Sequence, residues 1–376
     1  MTLTVADLTA LDHGTTIVLP QTIAERAMPK GKVTISDIAR ASGVSASTVS
    51  RVLNKRPSTI PISPQTRERV LAAVAELDYR PNLAARTLVS GRSEAVAVIV
   101  HDVADPYFSE IIRGIEDVAA TRKYMVLVSS TDRDPEREGE YLLRMASFPT
   151  DGIILAAGGL ENEQLHRATR SLVEGGAVIV GIARHELPIS TIDVGNQAGA
   201  RQIVQHLLDL GHRRIAFLGG PNDLTTASDR LAGYRQALRE AGLSAEEVVI
   251  PGDFSREAAA RAIPLILERR PRMTAIFAAN DKMAIGCLAA LRAAGIDVPG
   301  EMSVVGFGDV SAAQDTSPPL TTVTIPLREV GRLAMEQVFR QLDGEPSATL
   351  SVPTSLAIRG STAPPAELQT DGAERG

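Results

Sequence analysis

The chain has a single cysteine, no tryptophan and few aromatic residues, and these shortages narrow the class of protein. Cys287 has no partner for an intramolecular disulfide, which excludes a secreted scaffold stapled by disulfide bonds. No apolar run approaches the roughly 20 residues needed to span a bilayer. The first 30 residues also lack the basic head, apolar stretch and small-residue cleavage site of a secretory signal. These absences predict a protein of the reducing cytoplasm that contacts no membrane.

The composition is otherwise that of an ordinary folded protein. Hydrophobic residues make up 44% of the 376 residues and charged residues 22%, so most of the chain is expected to bury a core. At roughly 100–200 residues per domain, this length predicts two or three domains.

Charge is unevenly distributed along the chain. Between Lys32 and Arg92 there are ten Lys and Arg residues against four Asp and Glu, a local charge of +6. Because the whole chain carries −6, the remainder carries −12. A basic block on an acidic body indicates a nucleic-acid-binding module joined to a different domain, although a solvated basic surface would give the same counts.

Within this basic block the sequence predicts three short helices. Thr34 can cap the first helix, with Asp37 three residues later in an acidic variant of the capping box. Gly43 ends it, and Ser45 can cap a second helix, which gives the helix-turn-helix pattern. The pair Ser63-Pro64 predicts the start of the third. A segment over 82–89 is also helical in pattern, but it is too short to hold alone in water.

Apolar strands alternate with helices over the rest of the chain, which indicates parallel sheets covered on both faces. The predicted strands are 95–100, 124–129, 151–157, 177–182, 214–220, 275–279 and 303–307. The predicted helices lie near 108–121, 135–147, 197–210, 229–241 and 281–294. This is too many strands for one modest sheet, so two doubly wound α/β lobes are expected.

Several motifs in a fixed order make the sequence recognisable. They are VTISDIARASGVSASTVSRVLN (33–54), SPQTRERVLAAVAELDYRPNLAARTL (63–88), DPYFSEIIRGIEDVA (105–119), LGHRRIAFLGG (210–220), DRLAGYRQAL (229–238), AANDKMAIG (278–286), SVVGFGD (303–309) and PPLTTV (318–323). Together they resemble the LacI/GalR family of bacterial transcription regulators over roughly residues 33–360.

The resemblance implies a fold and a domain order. The fold is α/β, with an N-terminal three-helix helix-turn-helix headpiece and a hinge helix, followed by two doubly wound lobes of the periplasmic-binding-protein type. The expected parts are a mobile arm (1–31), the DNA-binding headpiece (32–80), a hinge helix and linker (81–92), a two-lobed effector-binding and dimerisation domain (93–362) and a disordered tail (363–376).

In the family, the second helix enters the major groove of DNA. The resemblance therefore assigns DNA contacts to Thr34, Ser45, Ala46, Ser47, Thr48, Ser50, Arg51, Asn54, Asn82, Ala85 and Leu88. Arg51 can reach the two acceptors of guanine, whereas Val49, Val52 and Leu53 are expected to face the core of the headpiece. By the same resemblance, Leu88 is the hinge residue that wedges between base pairs in the minor groove.

The effector is expected in a cleft between the lobes, outside the carboxyl ends of their strands. The family's ligand positions correspond to Tyr107, Phe108, Arg230, Phe254, Asn280 and Asp309. Phe108 could equally anchor its own helix. Gly308 stands where many family members have an acid that grips sugar hydroxyls, and GFGD (306–309) looks similar to regulators of gluconate-type sugar acids. The expected effector is therefore a sugar or a sugar acid.

These inferences predict a regulator, most simply a repressor, that binds a palindromic double-stranded DNA operator as a homodimer and responds to a small-molecule effector. It is expected in the cytoplasm, associated with the nucleoid, without a cofactor or metal. The alternative is an intracellular small-molecule-binding protein without operator-specific DNA binding. An enzyme is not expected, because the sequence lacks GxGxxG after a strand, a Walker loop, GxSxG and HExxH.

Overall fold

In the computed structural model of the protein, residues 33–54, 61–79, 91–148, 150–156, 163–185, 189–269 and 272–366 are described. Contacts between residues divide the chain into two compact units, with the boundary between residues 82 and 83. No helix in the described ranges is long and apolar enough to cross a membrane.

The first unit is the headpiece, with helices α1 (Ile35–Ser42), α2 (Ala46–Asn54) and α3 (Pro64–Glu76). The predicted capping box of α1 is confirmed, because the Asp37 N–H donates to the Thr34 hydroxyl while the Thr34 N–H donates to the Asp37 carboxylate. Gly43 ends α1 in the left-handed conformation at φ 66°, which a glycine adopts without steric penalty. Ser63 caps α3, and Pro64 fills its first turn as predicted.

A small hydrophobic cluster holds these helices together. Its buried members are Ile38, Val49, Val52, Val70, Ala73 and Tyr79. Leu53 is half-buried and packs against the same cluster. The expectation that Val49, Val52 and Leu53 face the core of the headpiece is therefore confirmed.

The second unit alternates strands and helices. Its strands are β1 (Ala95–Val100), β2 (Met125–Ser130), β3 (Gly152–Leu155), β4 (Ile179–Ile182), β5 (Ser190–Asp193), β6 (Ile215–Leu218), β7 (Val248–Ile250), β8 (Ala275–Ala278), β9 (Ser303–Gly308), β10 (Thr321–Thr324), β11 (Thr349–Ser351) and β12 (Ser355–Ala357). Its helices are α4 (Pro106–Thr121), α5 (Pro135–Ser147), α6 (Glu163–Glu174), α7 (Asn196–Asp209), α8 (Thr225–Glu240), α9 (Arg256–Leu267), α10 (Asp281–Ala293) and α11 (Leu327–Leu342).

The strands form two sheets, which confirms the expectation of two lobes. The first lobe has the strand order β11-β5-β4-β3-β1-β2, and the second has the order β12-β10-β9-β8-β6-β7. Every pairing between described strands is parallel except that of β10 with β12. The chain crosses between the lobes three times: after β5, after β10 and after β11.

Helix α11 returns to the first lobe and packs along α4. Arg328 of α11 donates two hydrogen bonds to the Asp117 carboxylate of α4, at 2.7 and 3.1 Å. These bonds hold the pKa of Asp117 below its usual value. Because the strands within each lobe run parallel, the loops after their carboxyl ends gather at one edge of each sheet, and those of the two lobes meet around one cavity.

Candidate nucleic-acid interface and candidate ligand cavity

The start of α2 presents a row of small polar side chains. Ser45, Ala46 and Ser47 are exposed, and Thr48 is half-buried beside them. The Ser45 hydroxyl accepts the Thr48 N–H at 3.2 Å and lies 2.8 Å from the Ser47 hydroxyl. The helix therefore begins at Ser45 as predicted, and its first turn offers an exposed face without bulky side chains.

Arg51 lies on the same face, one turn after Ser47. Its guanidinium folds back along the helix, with Nε 3.4 Å from the Ser47 carbonyl oxygen and Nη2 3.4 Å from the Thr48 hydroxyl. Both of these contacts are at the long end of the hydrogen-bond range and are therefore weak. Ser50, the other predicted contact in the middle of α2, is half-buried.

Of the remaining predicted DNA contacts, the structure describes the side chain of Thr34 but not those of the other four residues. The Thr34 hydroxyl is exposed, but it donates to the Asp37 carboxylate at 2.7 Å within the capping box. The side chain of Asn54 and residues Asn82, Ala85 and Leu88 lie outside what the structure describes. The expected hinge contacts therefore remain predictions.

In the second unit, a cavity of about 270 Å³ lies where the two lobes meet. Five of the six predicted effector residues line it: Tyr107, Phe108, Arg230, Phe254 and Asn280. They come from four loops or helix starts that are far apart in sequence, and the parallel topology brings them together. Their roles in ligand binding remain predictions, but the expected cleft exists.

Arg230 of α8 is the buried cation of the cavity wall, with 4% of its surface exposed. Its Nε donates to Asn196 Oδ1 at 2.9 Å, and Nη1 donates to the Ala279 carbonyl at 2.5 Å. Its guanidinium lies 4.0 Å from the centroid of the Phe307 ring. Burial lowers the pKa of Arg230 to about 10, which still leaves the group cationic at neutral pH. Its second terminal nitrogen, Nη2, makes no hydrogen bond to the described residues.

Aromatic rings supply much of the remaining wall. Tyr107 and Phe108 meet edge to face at 5.2 Å, and Phe254 lies 5.9 Å from the Arg230 guanidinium. Phe108 is buried in the hydrophobic core and also lines the cavity, and its contact with a ligand stays a prediction. These rings offer flat apolar faces to a bound ring.

The polar groups that begin α4 and α10 are engaged in hydrogen bonds of the fold. Asp105 accepts the Tyr107 N–H, and Asn280 accepts the Met283 N–H while donating to the Phe254 carbonyl. Asp281 accepts the Thr322 hydroxyl and the Val310 N–H, and burial raises its pKa to about 6. Asn280 thus positions the Phe254 loop, in addition to facing the cavity.

Asp309 is the predicted effector residue that the structure does not bring to the cavity. Its carboxylate accepts Arg359 at 2.7 Å and the Thr324 hydroxyl at 2.9 Å. The backbone explains the displacement, because Asp309 has φ 57° and its side chain points to β10. Among the described residues it acts as a fold contact between β9, β10 and the segment after β12.

The sequence inspection missed several residues of the cavity wall. They are His101 directly after β1, Arg133 in the loop after β2, Arg256, Asp281 and Lys282 at helix starts, and Phe307 within β9. For His101, Arg133, Asp281 and Lys282, a position shortly after the carboxyl end of a predicted strand is a usable signal. His101 is 4% exposed, and its Nε2 lies 3.5 Å from Oε2 of Glu138, which is equally buried. The His101 ring meets the Phe108 ring edge to face, with 6.2 Å between the ring centroids.

The headpiece and the cavity together define a class of protein: a DNA-binding regulator with a two-lobed ligand-binding domain. The model for bacterial regulatory proteins of the lacI family matches residues 34–82, and that for a periplasmic binding protein-like domain matches residues 204–362. Catabolite control protein A of Priestia megaterium is 33% identical over 334 residues, covering 88% of this chain and 99% of that protein. The chain belongs to the LacI family of bacterial transcriptional regulators.

Solved structures agree with this assignment. The lac repressor dimer bound to operator and the anti-inducer ONPF superposes with a TM-score of 0.78 at 29% identity, over 89% of this chain and 100% of that one. The complex of the regulator CelR with cellobiose gives a TM-score of 0.65 at 31% identity, over 88% of this chain and 99% of that one. The predicted family, fold class and regulatory function are confirmed.

Proposed function

We propose that this protein is a nucleoid-associated repressor that binds a palindromic operator as a homodimer and responds to a sugar or sugar acid in the cavity around Arg230. The observation that carries the proposal is the union, in one chain, of an exposed α2 face and a ligand cavity with a buried cation. One headpiece contacts few base pairs, which favours a dimer on two half-sites. Among the relatives, the lac repressor is a dimer bound to operator and CelR is bound to cellobiose.

We further propose that the cavity binds its ligand without catalysing a reaction. Asp105, Asn280 and Asp281 already accept hydrogen bonds from backbone or hydroxyl groups. A general base needs a lone pair directed at the substrate, whereas Asp105 Oδ1, Asn280 Oδ1 and both oxygens of Asp281 accept hydrogen bonds that hold the loops in place. Ligand binding can instead shift the two lobes between arrangements, which is a two-state element that DNA and ligand both bias.

The direct test is binding of the purified protein to DNA fragments from around its own gene, with random DNA as control and the salt concentration varied. We expect tight, salt-sensitive binding to one fragment, reversed or strengthened by one compound from a panel of sugars and sugar acids. No preference over random DNA, with and without every compound, would overturn the operator proposal.

Two variants separate the roles of the two units. Arg230→Ala should abolish the response to that compound, because it removes the buried cation of the cavity. Arg239→Ala, an exposed arginine on the same helix α8, is the matched control and should respond normally. A normal response of Arg230→Ala would place the ligand elsewhere.

Leu88→Ala tests the hinge contact that the resemblance assigns. We expect it to weaken operator binding far more than binding to random DNA, because a wedge that kinks the duplex acts only in the specific complex. Equal losses on both DNAs would show that Leu88 is not the wedge.

A further inference from the structure

Arg133 and Arg256 line the cavity from opposite lobes, and neither guanidinium forms an ion pair with the residues that the structure describes. Arg133 lies in the loop after β2 of the first lobe, and Arg256 is the first residue of α9 in the second lobe. Among the described residues, neither guanidinium makes a hydrogen bond or an ion pair. The ring of Phe254 lies beside both, 6.0 Å from the Arg133 guanidinium and two residues before Arg256.

The carboxylates of the two residues next to Arg133 interact with groups other than its guanidinium. Asp132 forms an ion pair with Arg137 at 2.5 Å. Asp134 caps α5 by accepting the N–H groups of Glu136 and Arg137. Arg133 is therefore left without a neighbouring carboxylate.

The loop that carries Arg133 is also held in an uncommon conformation. Asp132 and Arg133 both have positive φ, 55° and 61°, which costs a non-glycine residue about 1 kcal/mol or more each. The Asp132 N–H donates to the His101 carbonyl at 2.6 Å and so anchors the loop to the end of β1. Such a conformation persists only where the surroundings impose it, and here it directs an arginine to the cavity.

The same arrangement recurs around Arg256. Asp253, the nearby carboxylate, forms an ion pair with Arg261 at 2.6 Å and also accepts the Ser255 N–H. Arg256 begins a helix, so the positive end of the helix dipole adds to its own charge. In both lobes a second arginine takes the local carboxylate and leaves the cavity arginine available.

The balance of charge in the cavity follows from these contacts. The carboxylates in its wall, Asp105 and Asp281, are engaged by backbone and hydroxyl donors. Lys282 is paired with Asp102 at 3.3 Å. Among the cations of the wall, Arg133, Arg230 and Arg256 form no ion pair with the described residues, although the charges of Asp281 and Asp105 act on Arg230.

We propose that the ligand of this cavity carries an anionic group, a phosphate or a carboxylate, which Arg133 and Arg256 bind from the two lobes. The proposal rests on the proposed function in taking the cavity as the effector site. Guanidinium groups bind planar carboxylates and phosphate oxygens through paired N–H donors. A cavity of about 270 Å³ has room for one ring against Phe254 together with such a group. An anion held from both sides would also draw the two lobes together.

The first experiment uses inorganic phosphate as the probe on the full-length protein. Thermal unfolding is followed as phosphate replaces chloride at constant ionic strength, for the wild type, Arg133→Gln, Arg256→Gln and the double variant. We expect a saturable rise in the unfolding temperature of the wild type, because a ligand that binds only the folded state stabilises it. Each single variant should weaken the affinity roughly tenfold, and the double variant should lose the saturable rise.

Arg144→Gln is the matched control, because Arg144 is an exposed arginine of α5 that does not line the cavity. It should retain the response of the wild type. Phosphate bound by the basic headpiece would affect all variants equally. A wild type without a saturable response, or a double variant that responds like the wild type, would overturn the proposal.

A second experiment distinguishes the two anionic groups by calorimetry with glucose, gluconate and glucose 6-phosphate. Preference for gluconate assigns a carboxylate and preference for glucose 6-phosphate assigns a phosphate, provided that the double variant loses the preference. Tighter binding of glucose, unchanged in the double variant, would overturn the proposal. Operator binding is measured in parallel without ligand, so a failure of the anion site is distinguishable from a failure of DNA recognition.

Discussion

Cys287 illustrates how burial controls the chemistry of a single residue. It lies within α10 with no exposed surface, and burial raises the pKa of its thiol to about 12. Because the thiolate is the reactive form, the native protein holds this cysteine inert at pH 8. Cys287 therefore acts as a small apolar residue that packs in the core. Its place among the alanines of α10 predicts this role.

We therefore expect Cys287 to react with a thiol reagent such as DTNB only when the lobes unfold. At pH 8 the native protein should show no release of colour over minutes, and addition of denaturant should give one equivalent per chain. Ser244→Cys, combined with Cys287→Ala, is an exposed control that should react at once. Rapid, complete reaction of the native wild type would contradict the buried placement.

At the scale of single elements, the crossing of α4 and α11 depends on two glycines. A Cβ atom at Gly331 would overlap the carbonyl oxygen of Ile111, and one at Gly114 would overlap the carbonyl oxygen of Arg328. The two helix backbones therefore touch directly, and the opposing atoms belong to the main chain and cannot turn aside.

Gly331→Ala is expected to destabilise the lobes by about 1–3 kcal/mol, the usual cost of overpacking. Gly139→Ala in α5 is the matched control, because no heavy atom lies within 4 Å of its Cβ position. The free energy of unfolding of that control should rise by about 0.5–1 kcal/mol, because alanine has a better helix propensity than glycine. The measurement is the urea midpoint of Cys287 exposure, and equal midpoints for the two variants would contradict the close crossing.

The elements that could be predicted from the sequence are those with a clear local pattern of apolar, proline or capping residues. The buried strand β1 matches its prediction at both ends, and α5 does likewise, because an apolar run and a Pro start mark them clearly. The edge strands β7, β11 and β12, with three residues each, and the four-residue strands β5 and β10 are not among the predicted strands. Their main signal is pairing with a neighbouring strand, which single-sequence periodicity does not contain.

The same reasoning applies to the cavity. Tyr107 and Arg230 are predicted because they occupy motifs of the family, Phe254 is predicted because it lies in a loop that carries ligand positions in the family, and the fold brings the three together. Asp309 was misplaced relative to the cavity because a positive φ turns its side chain to Arg359, and local sequence does not determine that turn. Arg133 and Arg256 were missed since their lack of partners depends on ion pairs made by Arg137 and Arg261.

At the scale of the whole molecule, the two lobes of the second unit are joined by ion pairs at the cleft. Asp102 of the first lobe pairs with Lys282 of the second, and Arg184 pairs with Asp229 at 3.0 Å. Partly exposed pairs of this kind contribute only about 0–1 kcal/mol each. Contacts this weak leave the arrangement of the lobes open to a ligand, whose binding free energy is larger.

Because the chain separates into two units, we expect a substitution that unfolds one unit to leave the other folded. Ile38 is fully buried in the small headpiece cluster. Ile38→Ala should therefore lower the free energy of unfolding of that unit by about 2–5 kcal/mol. We expect operator binding to fall sharply while Cys287 stays protected and the urea midpoint of the lobes stays unchanged. Leu71→Ala, at a leucine of α3 that is 49% exposed, should leave both properties intact. Exposure of the Cys287 thiol in Ile38→Ala would show that the two units unfold as one.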